Sequence, residues 1–302
     1  GHAVVSVCDI DNDGDLDLVA GDASGRLTLA LDRGGPGDHR YAAPEEIESG
    51  GAPFRVEPGT DGRLLGPWAI PLGYAAPTLV DWSGHGRPDL LVNGAGGEVL
   101  YLKNNGSATE PRFDIVRPLR CGKGPLITPP RVRLGCADWN ATGVLDLVGL
   151  DLQGFLCVYP RIDQCEVGLP VPLVDRLGRF IRLDGGFGQS GRCALWVGPW
   201  TGPGQRDILV GLPRGHRGLI PALIGRPMVG LDELSNVLLL EDSGEGWMIP
   251  RQIRLTDGSP LLIGVDGCSP CGAATAGDDR LDLWVGADAG TVVVYHRDDL
   301  SW

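Results

Sequence analysis

The sequence predicts an all-β protein built from repeated units, a propeller or a solenoid. Three observations carry that reading. One turn-and-strand segment recurs five times, near residues 9–21, 81–94, 138–149, 199–211 and 274–286. Measured at the Asp that ends each turn (Asp17, Asp89, Asp146, Asp207 and Asp282), the copies are 72, 57, 61 and 75 residues apart. That leaves room for a four-stranded antiparallel sheet plus loops, and no 3.6-residue apolar period runs between copies. Composition agrees: 48 Gly and 24 Pro in 302 residues, with 6% aromatic residues, suit many short strands joined by turns.

Each copy has a Gly-bearing turn, an Asp at its ninth position and an apolar strand. The first reads Asp9-Ile-Asp-Asn-Asp-Gly-Asp-Leu-Asp17 and continues into Leu18-Val-Ala-Gly21. The others run from Asp81 to Asp89, Asp138 to Asp146, Pro199 to Asp207 and Ala274 to Asp282. A second strand usually follows across another Gly-containing turn, as in Arg26–Leu31, Glu98–Leu102, Phe155–Tyr159 and Thr291–Tyr295, which is a hairpin signal. The fourth copy is irregular. An insertion near 214–226 explains it better than a sixth, degenerate unit, because no Asp-bearing turn precedes Pro227. The chain ends soon after Tyr295, so the last sheet is expected to have three strands or to be completed further on.

Residues 9–17 place five carboxylates in nine positions with no basic residue among them. Left bare they would repel; around a hard cation that wants six to eight oxygens they form most of a shell. Asp9, Asp11, Asp13 and Asp17 can ligate by side chain and Asp15 by its carbonyl, with Gly14 making the turn. A helix-loop-helix calcium hand is disfavoured, since its twelfth position is Ala20 and the flanks look like strands.

The remaining copies depart from this donor set. Asp81, Ser83, His85 and Asp89 make a poor hard-cation site, whereas Asp138, Asn140, Thr142 and Asp146 make a weak second one. Pro199 with Pro203, and Ala274 with Ala276, stand where ligands belong, so the fourth and fifth turns are expected to be empty of metal. An Asp at position nine nonetheless persists, and Asp89, Asp207 and Asp282 are read as structural carboxylates that accept backbone N–H groups of their turns. Trp82, Trp139 and Trp200 recur at the second turn position and are expected to pack between neighbouring units rather than stack on sugars.

The net charge of −13 argues against nucleic acid and anionic membranes, and no apolar stretch is long enough for a membrane span. Eight cysteines are an even number and permit disulfides in an oxidising compartment. Cys268-Ser-Pro-Cys271 has CxxC spacing without a second CxxC or a nearby His pair, so a bridge or plain packing is favoured over metal. Asn105-Gly-Ser107 and Asn140-Ala-Thr142 match the glycosylation sequon.

The five units, together with the tail Leu100-Tyr-Leu-Lys-Asn-Asn-Gly-Ser-Ala-Thr-Glu-Pro-Arg-Phe113, resemble the FG-GAP or VCBS repeats of integrin α-subunit propellers, propeller lectins and many secreted bacterial proteins. The resemblance covers nearly the whole chain. It implies a single β-propeller over residues 1–302, of five blades, or six or seven if degenerate units are counted. It also implies Ca²⁺ at Asp9, Asp11, Asp13, Asp15 and Asp17, and an extracellular, cell-surface or periplasmic location. The expected function is a monomeric module that binds a glycan or an extracellular protein.

A polysaccharide lyase or glycoside hydrolase on the same scaffold is the alternative, and a structural or adhesive part of a longer surface protein is the third reading. Catalytic residues are unknown. No GxSxG, HExxH or phosphate loop occurs. Among the histidines His216, between Arg214 and Arg217, is the best of a weak set, with a solvated basic loop the more ordinary explanation.

Overall fold

A computed structural model describes residues 3–35, 38–58, 72–183, 193–213, 235–264, 267–274 and 280–302. The protein is an all-β propeller of five blades. In the first blade Val4–Cys8 pairs antiparallel with Asp17–Gly21, then Leu27–Ala30, then Glu45–Glu46. The second repeats this with Ala76–Val80, Asp89–Asn93, Val99–Asn104 and Phe113–Pro118, and the third with Gly135–Ala137, Asp146–Leu150, Leu156–Tyr159 and Val171–Pro172. The fourth is built from Ala194–Gly198, Asp207–Gly211, Val237–Asp242 and Met248–Gln252. The fifth has three strands, Cys268–Ala274, Leu281–Ala287 and Val292–Tyr295.

Asp207–Gly211 pairs directly with Val237–Asp242, from Ile208 opposite Leu240 to Gly211 opposite Val237. These two strands therefore belong to one blade, and no sixth sheet is needed to place Val237–Asp242. The expected insertion near 214–226 lies outside the described residues. Arg297–Asp299 forms a single 3₁₀ turn, and among the described residues no helix is long and apolar enough to cross a membrane.

The chain leaving one blade pairs with the outer part of the next. Glu48–Ser49, leaving the first blade, pairs parallel with Phe113–Pro118 of the second. Arg120–Cys121 then pairs parallel with Glu166–Val167, Asp175 bridges Met248, and Arg254–Leu255 pairs with Leu300–Ser301. These links tie each blade to its successor through backbone hydrogen bonds, which the short outer strands could not supply alone.

Between the blades lie the cores. One cluster joins the first two blades around Val19, Phe54, Leu90 and Leu102; another runs through blades two to four; a third joins four and five. A small one, with Val7, Cys271, Ala273 and Trp284, closes blade five onto blade one. Glycine permits these approaches. A Cβ on Gly21 would overlap the carbonyl oxygen of Ala75 in blade two, and one on Gly211 that of Cys268 in blade five. Blade two has Asn93 in the equivalent place. It is fully buried, and its Nδ2 donates to Thr128 Oγ1 and to the carbonyls of Pro129 and Val132, which carry the chain into blade three.

Candidate functional site: the acidic loop and the axial mouth

In the first four copies the ninth-position carboxylate pins its turn to the end of the third strand. Asp17 accepts the N–H of Ile10 (2.9 Å) on one oxygen and that of Asp32 (2.8 Å) on the other. Asp89 does the same with Ser83 and Asn104, Asp146 with Trp139 and Arg161, and Asp207 with Thr201 and Asp242. Asp282 accepts the N–H of Arg297 at 2.8 Å. A carboxylate that takes two buried N–H groups closes its loop without an ion.

The first loop differs in what surrounds Asp17. Asp9, Asp11 and Asp17 each bring one carboxylate oxygen within 4.8 Å of the others. Asp9 accepts the N–H groups of Asp13 (3.2 Å) and Gly14 (3.0 Å), and Gly14, at φ +94°, makes the turn that aims them. Asp11 is only 3% exposed, and its Oδ1 is buried with no hydrogen-bond partner. Burial first, and then its neighbour Asp13, hold the Asp11 carboxyl above the usual range; burial pushes Asp17 up to about 6 against the two N–H bonds that favour its charge. A buried acceptor left unsatisfied costs on the order of 1–3 kcal/mol.

Asp13 stands apart from the converging three. Its Oδ1 accepts the N–H of Asp15 at 3.0 Å, and its Oδ2 lies 3.6 Å from Arg33 Nη1. Arg33 also donates to Asp11 Oδ2 at 3.1 Å. Sequence reasoning missed Arg33, because nothing in its local pattern brings residue 33 back to residue 11. A cation fits this donor set. Asp9, Asp11 and Asp17 would hold it by side chain, and the partnerless Oδ1 of Asp11 would gain the charge-assisted contact it lacks.

Among the described residues no other copy brings three carboxylates together in this way. Asp138 holds the N–H groups of Thr142 and Gly143 (2.8 Å each) as Asp9 holds those of Asp13 and Gly14, and Asp146 is pinned as Asp17 is, but the exposed Asn140 stands where the first copy has the buried carboxylate of Asp11. Asp81 likewise accepts from His85 and Gly86. In the fifth copy residues 275–279 lie outside the described residues, as do His216, Arg214 and Arg217.

Trp82, Trp139 and Trp200 each meet an arginine of the following blade. Arg161 lies 4.8 Å from the Trp82 ring centroid and donates to the Trp82 carbonyl; Arg206 and Arg297 do the same at Trp139 and Trp200. Arg297 is also held under Trp302, 3.9 Å from its centroid, and burial lowers it to about 10. These indoles serve the contacts between blades.

All eight cysteines are free thiols, which corrects the disulfide expectation. Cys268 and Cys271 lie three apart in one extended strand, so they face opposite sides of it. Cys268 packs with Leu239 and Leu283, and Cys271 with Val7 and Trp284. Burial raises Cys136, Cys193 and Cys268 to about 12, which keeps them protonated and unreactive.

A second feature opens where the innermost strands begin. All five blades contribute to a cavity of about 40 Å³, among them Val4, Tyr74, Arg131, Ala194 and Ser269. Tyr74 (φ +48°) and Arg131 (φ +69°) both hold left-handed backbone, and the Arg131 guanidinium lies 3.6 Å from the Tyr74 ring centroid. Arg133, 1% exposed, donates through Nη1 to the carbonyls of Val5 and Pro270 (2.8 Å each) and to Ser269 Oγ (3.2 Å), joining blades three, one and five. No motif in the sequence marked these residues.

No protein-family model matches the chain, and no curated protein does. Solved structures do. A GH43_1 enzyme from Xanthomonas citri is similar at a TM-score of 0.51 and 15% identity, over 99% of this chain and 93% of that one. A lectin from Agrocybe aegerita that recognises non-reducing terminal N-acetylglucosamine aligns at 0.41 and 17%, over 100% of this chain, which spans 65% of the lectin's length. The six-bladed Aleuria aurantia lectin, a fucose binder, aligns at 0.49 and 10%, over 99% of this chain and 77% of that one.

Proposed function

We propose that this chain is a calcium-stabilised β-propeller of the FG-GAP/VCBS type that works outside the cell, as a monomer, binding a glycan or an extracellular protein. The observation that carries the reading is the acidic loop: the three converging carboxylates of Asp9, Asp11 and Asp17, with Asp11 Oδ1 buried and partnerless. Bound there, Ca²⁺ would neutralise the loop and lock the first blade's turn. Extracellular modules of this kind bind with affinities on the order of 10⁻⁴ to 10⁻³ M, which fill outside a cell and stay largely empty inside. The rigid ring and its loops supply a presenting surface.

Two measurements test this together. Calorimetric titration with CaCl₂ reads the loop, and Asp11→Asn removes the response. A glycan array, run beside an assay for new reducing or unsaturated ends on acidic polysaccharides, reads the function. Binding without turnover supports a module, and turnover would replace it with an enzyme.

A further inference from the structure

We propose that Arg33 is the acidic loop's own counter-charge, one that withholds Asp13 from the cation and keeps the loop's affinity low. The inference rests on the calcium reading above and names what sets the strength of that site. Arg33 Nη1 lies 3.1 Å from Asp11 Oδ2 and 3.6 Å from Asp13 Oδ2. The guanidinium therefore stands between one carboxylate that converges with Asp9 and Asp17 and one that does not. Asp11 is divided: Oδ2 takes the arginine, while Oδ1 is buried and without a hydrogen-bond partner. Asp13 is engaged on both oxygens, by the N–H of Asp15 at 3.0 Å and by Arg33. A cation that used Asp13 as a fourth carboxylate would have to draw it away from Arg33.

The fold fixes Arg33 in that place. Its predecessor Asp32 is fully buried and donates its N–H to Asp17 Oδ1 at 2.8 Å, the same bond that closes the turn. Asp32 Oδ1 in turn accepts the N–H groups of Gly34 (3.0 Å) and Arg40 (2.7 Å), and the Arg33 N–H donates to the Arg40 carbonyl at 3.0 Å. Residue 33 is thus clamped on both sides, with its side chain turned back over the loop. The repeats supply an independent comparison. In the other four copies the residue after the pinned one is Asn105, Ile162, Ser243 and Asp298. Of the five copies, the one with the fully acidic loop is the one with a basic residue there. Charge count tunes the affinity of oxygen-lined cation sites, so a fixed positive charge at the rim lowers it, by repulsion and by holding a ligand back. The same charge offsets the mutual repulsion of the carboxylates while no ion is bound. The Arg33 side chain is 54% exposed, and exposed ion pairs contribute little, so calcium can compete with this restraint.

The test is a double-mutant cycle on the whole chain, titrated with CaCl₂ in a calorimeter at constant ionic strength. Arg33→Gln should bind calcium about three- to tenfold more tightly than the parent, because the repulsion is gone and Asp13 is released to the cation. Arg33→Lys, which keeps the charge, should stay within about twofold of the parent. Asp13→Asn alone should change the affinity by less than about twofold, whereas in the Arg33→Gln background it should remove most of the gain. A role for Arg33 in folding alone would not make the gain depend on Asp13. The proposal is overturned if Arg33→Gln binds calcium no more tightly than the parent, or if the gain is the same with and without the Asp13→Asn change. Either result leaves the calcium site itself standing. No calcium heat from any of these chains, the parent included, would overturn the calcium reading and the role of Arg33 with it.

Discussion

Arg161 of the third blade lies over the indole of Trp82 in the second and donates to the Trp82 carbonyl, so one side chain joins two repeats by charge and by hydrogen bond. Trp82 is fully buried, and its own Nε1 donates to Gln164 of the same neighbouring blade. Cation–π contacts contribute about 0.5–1 kcal/mol when exposed and about 2 when desolvated, and a hydrogen bond to a charged donor about 1.5–3. Arg161→Ala should therefore destabilise the protein by about 2–3 kcal/mol in urea unfolding, and Arg161→Met, which keeps the stem, by somewhat less. A change under about 0.5 kcal/mol for Arg161→Ala would show that the stack carries no weight.

The repeat glycine at the end of the second strand is expected to be intolerant for steric reasons. Gly211→Ala drives a Cβ into the Cys268 carbonyl oxygen, which is backbone and cannot swing aside. Overpacking of this kind costs about 1–3 kcal/mol. Gly202→Ala, with nothing within 4 Å of its new Cβ, is the control and should be close to neutral. Equal thermal shifts for the two variants would refute the close-approach argument.

Much of the ring was legible because repetition exposes it. Asp17, Asp89, Asp146, Asp207 and Asp282 mark the turn five times, and the apolar run after each marks a strand. Comparison of copies singles out Asp9, Asp11 and Asp13 in the first, and the structure draws Asp9 and Asp11 together with Asp17 while Asp13 turns to Asp15 and Arg33. What could not be read is what the fold brings together from distant places. Arg33 reaches Asp11 because the third strand returns beside the first turn. Tyr74 and Arg131 meet because two blades begin at one mouth. Of the two readings of the CxxC spacing, a bridge or plain packing, the strand decides for packing, because it sends the two thiols to opposite faces.

Calcium should raise stability by mass action, since the native loop converges the carboxylates and the unfolded chain does not. At ten times its dissociation constant an ion contributes about 1.4 kcal/mol, or roughly 3–6 °C in melting temperature for chains of 150–250 residues and somewhat less here. Scanning calorimetry with 2 mM CaCl₂ against EDTA checks this. Asp11→Asn should abolish the difference and Asp138→Asn should leave it. An EDTA-insensitive melting temperature in the parent would remove the metal assignment.

Acid should loosen the junction between the third and fourth blades through Asp175. Asp175 is 8% exposed; its Oδ1 accepts the N–H groups of Leu177 (2.8 Å) and Arg179 (3.0 Å), and its Oδ2 accepts from Arg179 Nε at 2.7 Å. Burial alone would raise its carboxyl, but the Arg179 bonds and the backbone N–H groups outweigh it and hold the group below the ordinary range. A folded value below the unfolded one means that the contribution is complete above about pH 4–5 and is lost as pH falls through the folded value. The residue also bridges to Met248, while the neighbouring Val174 carbonyl accepts the Met248 N–H at 2.9 Å, so the loss falls on the blade junction. Asp175→Asn should thus be less stable than the parent at pH 7, and the gap should shrink steadily in urea unfolding from pH 5 to pH 3. A gap that stays constant over that range would mean that the Asp175 charge is not what holds the turn.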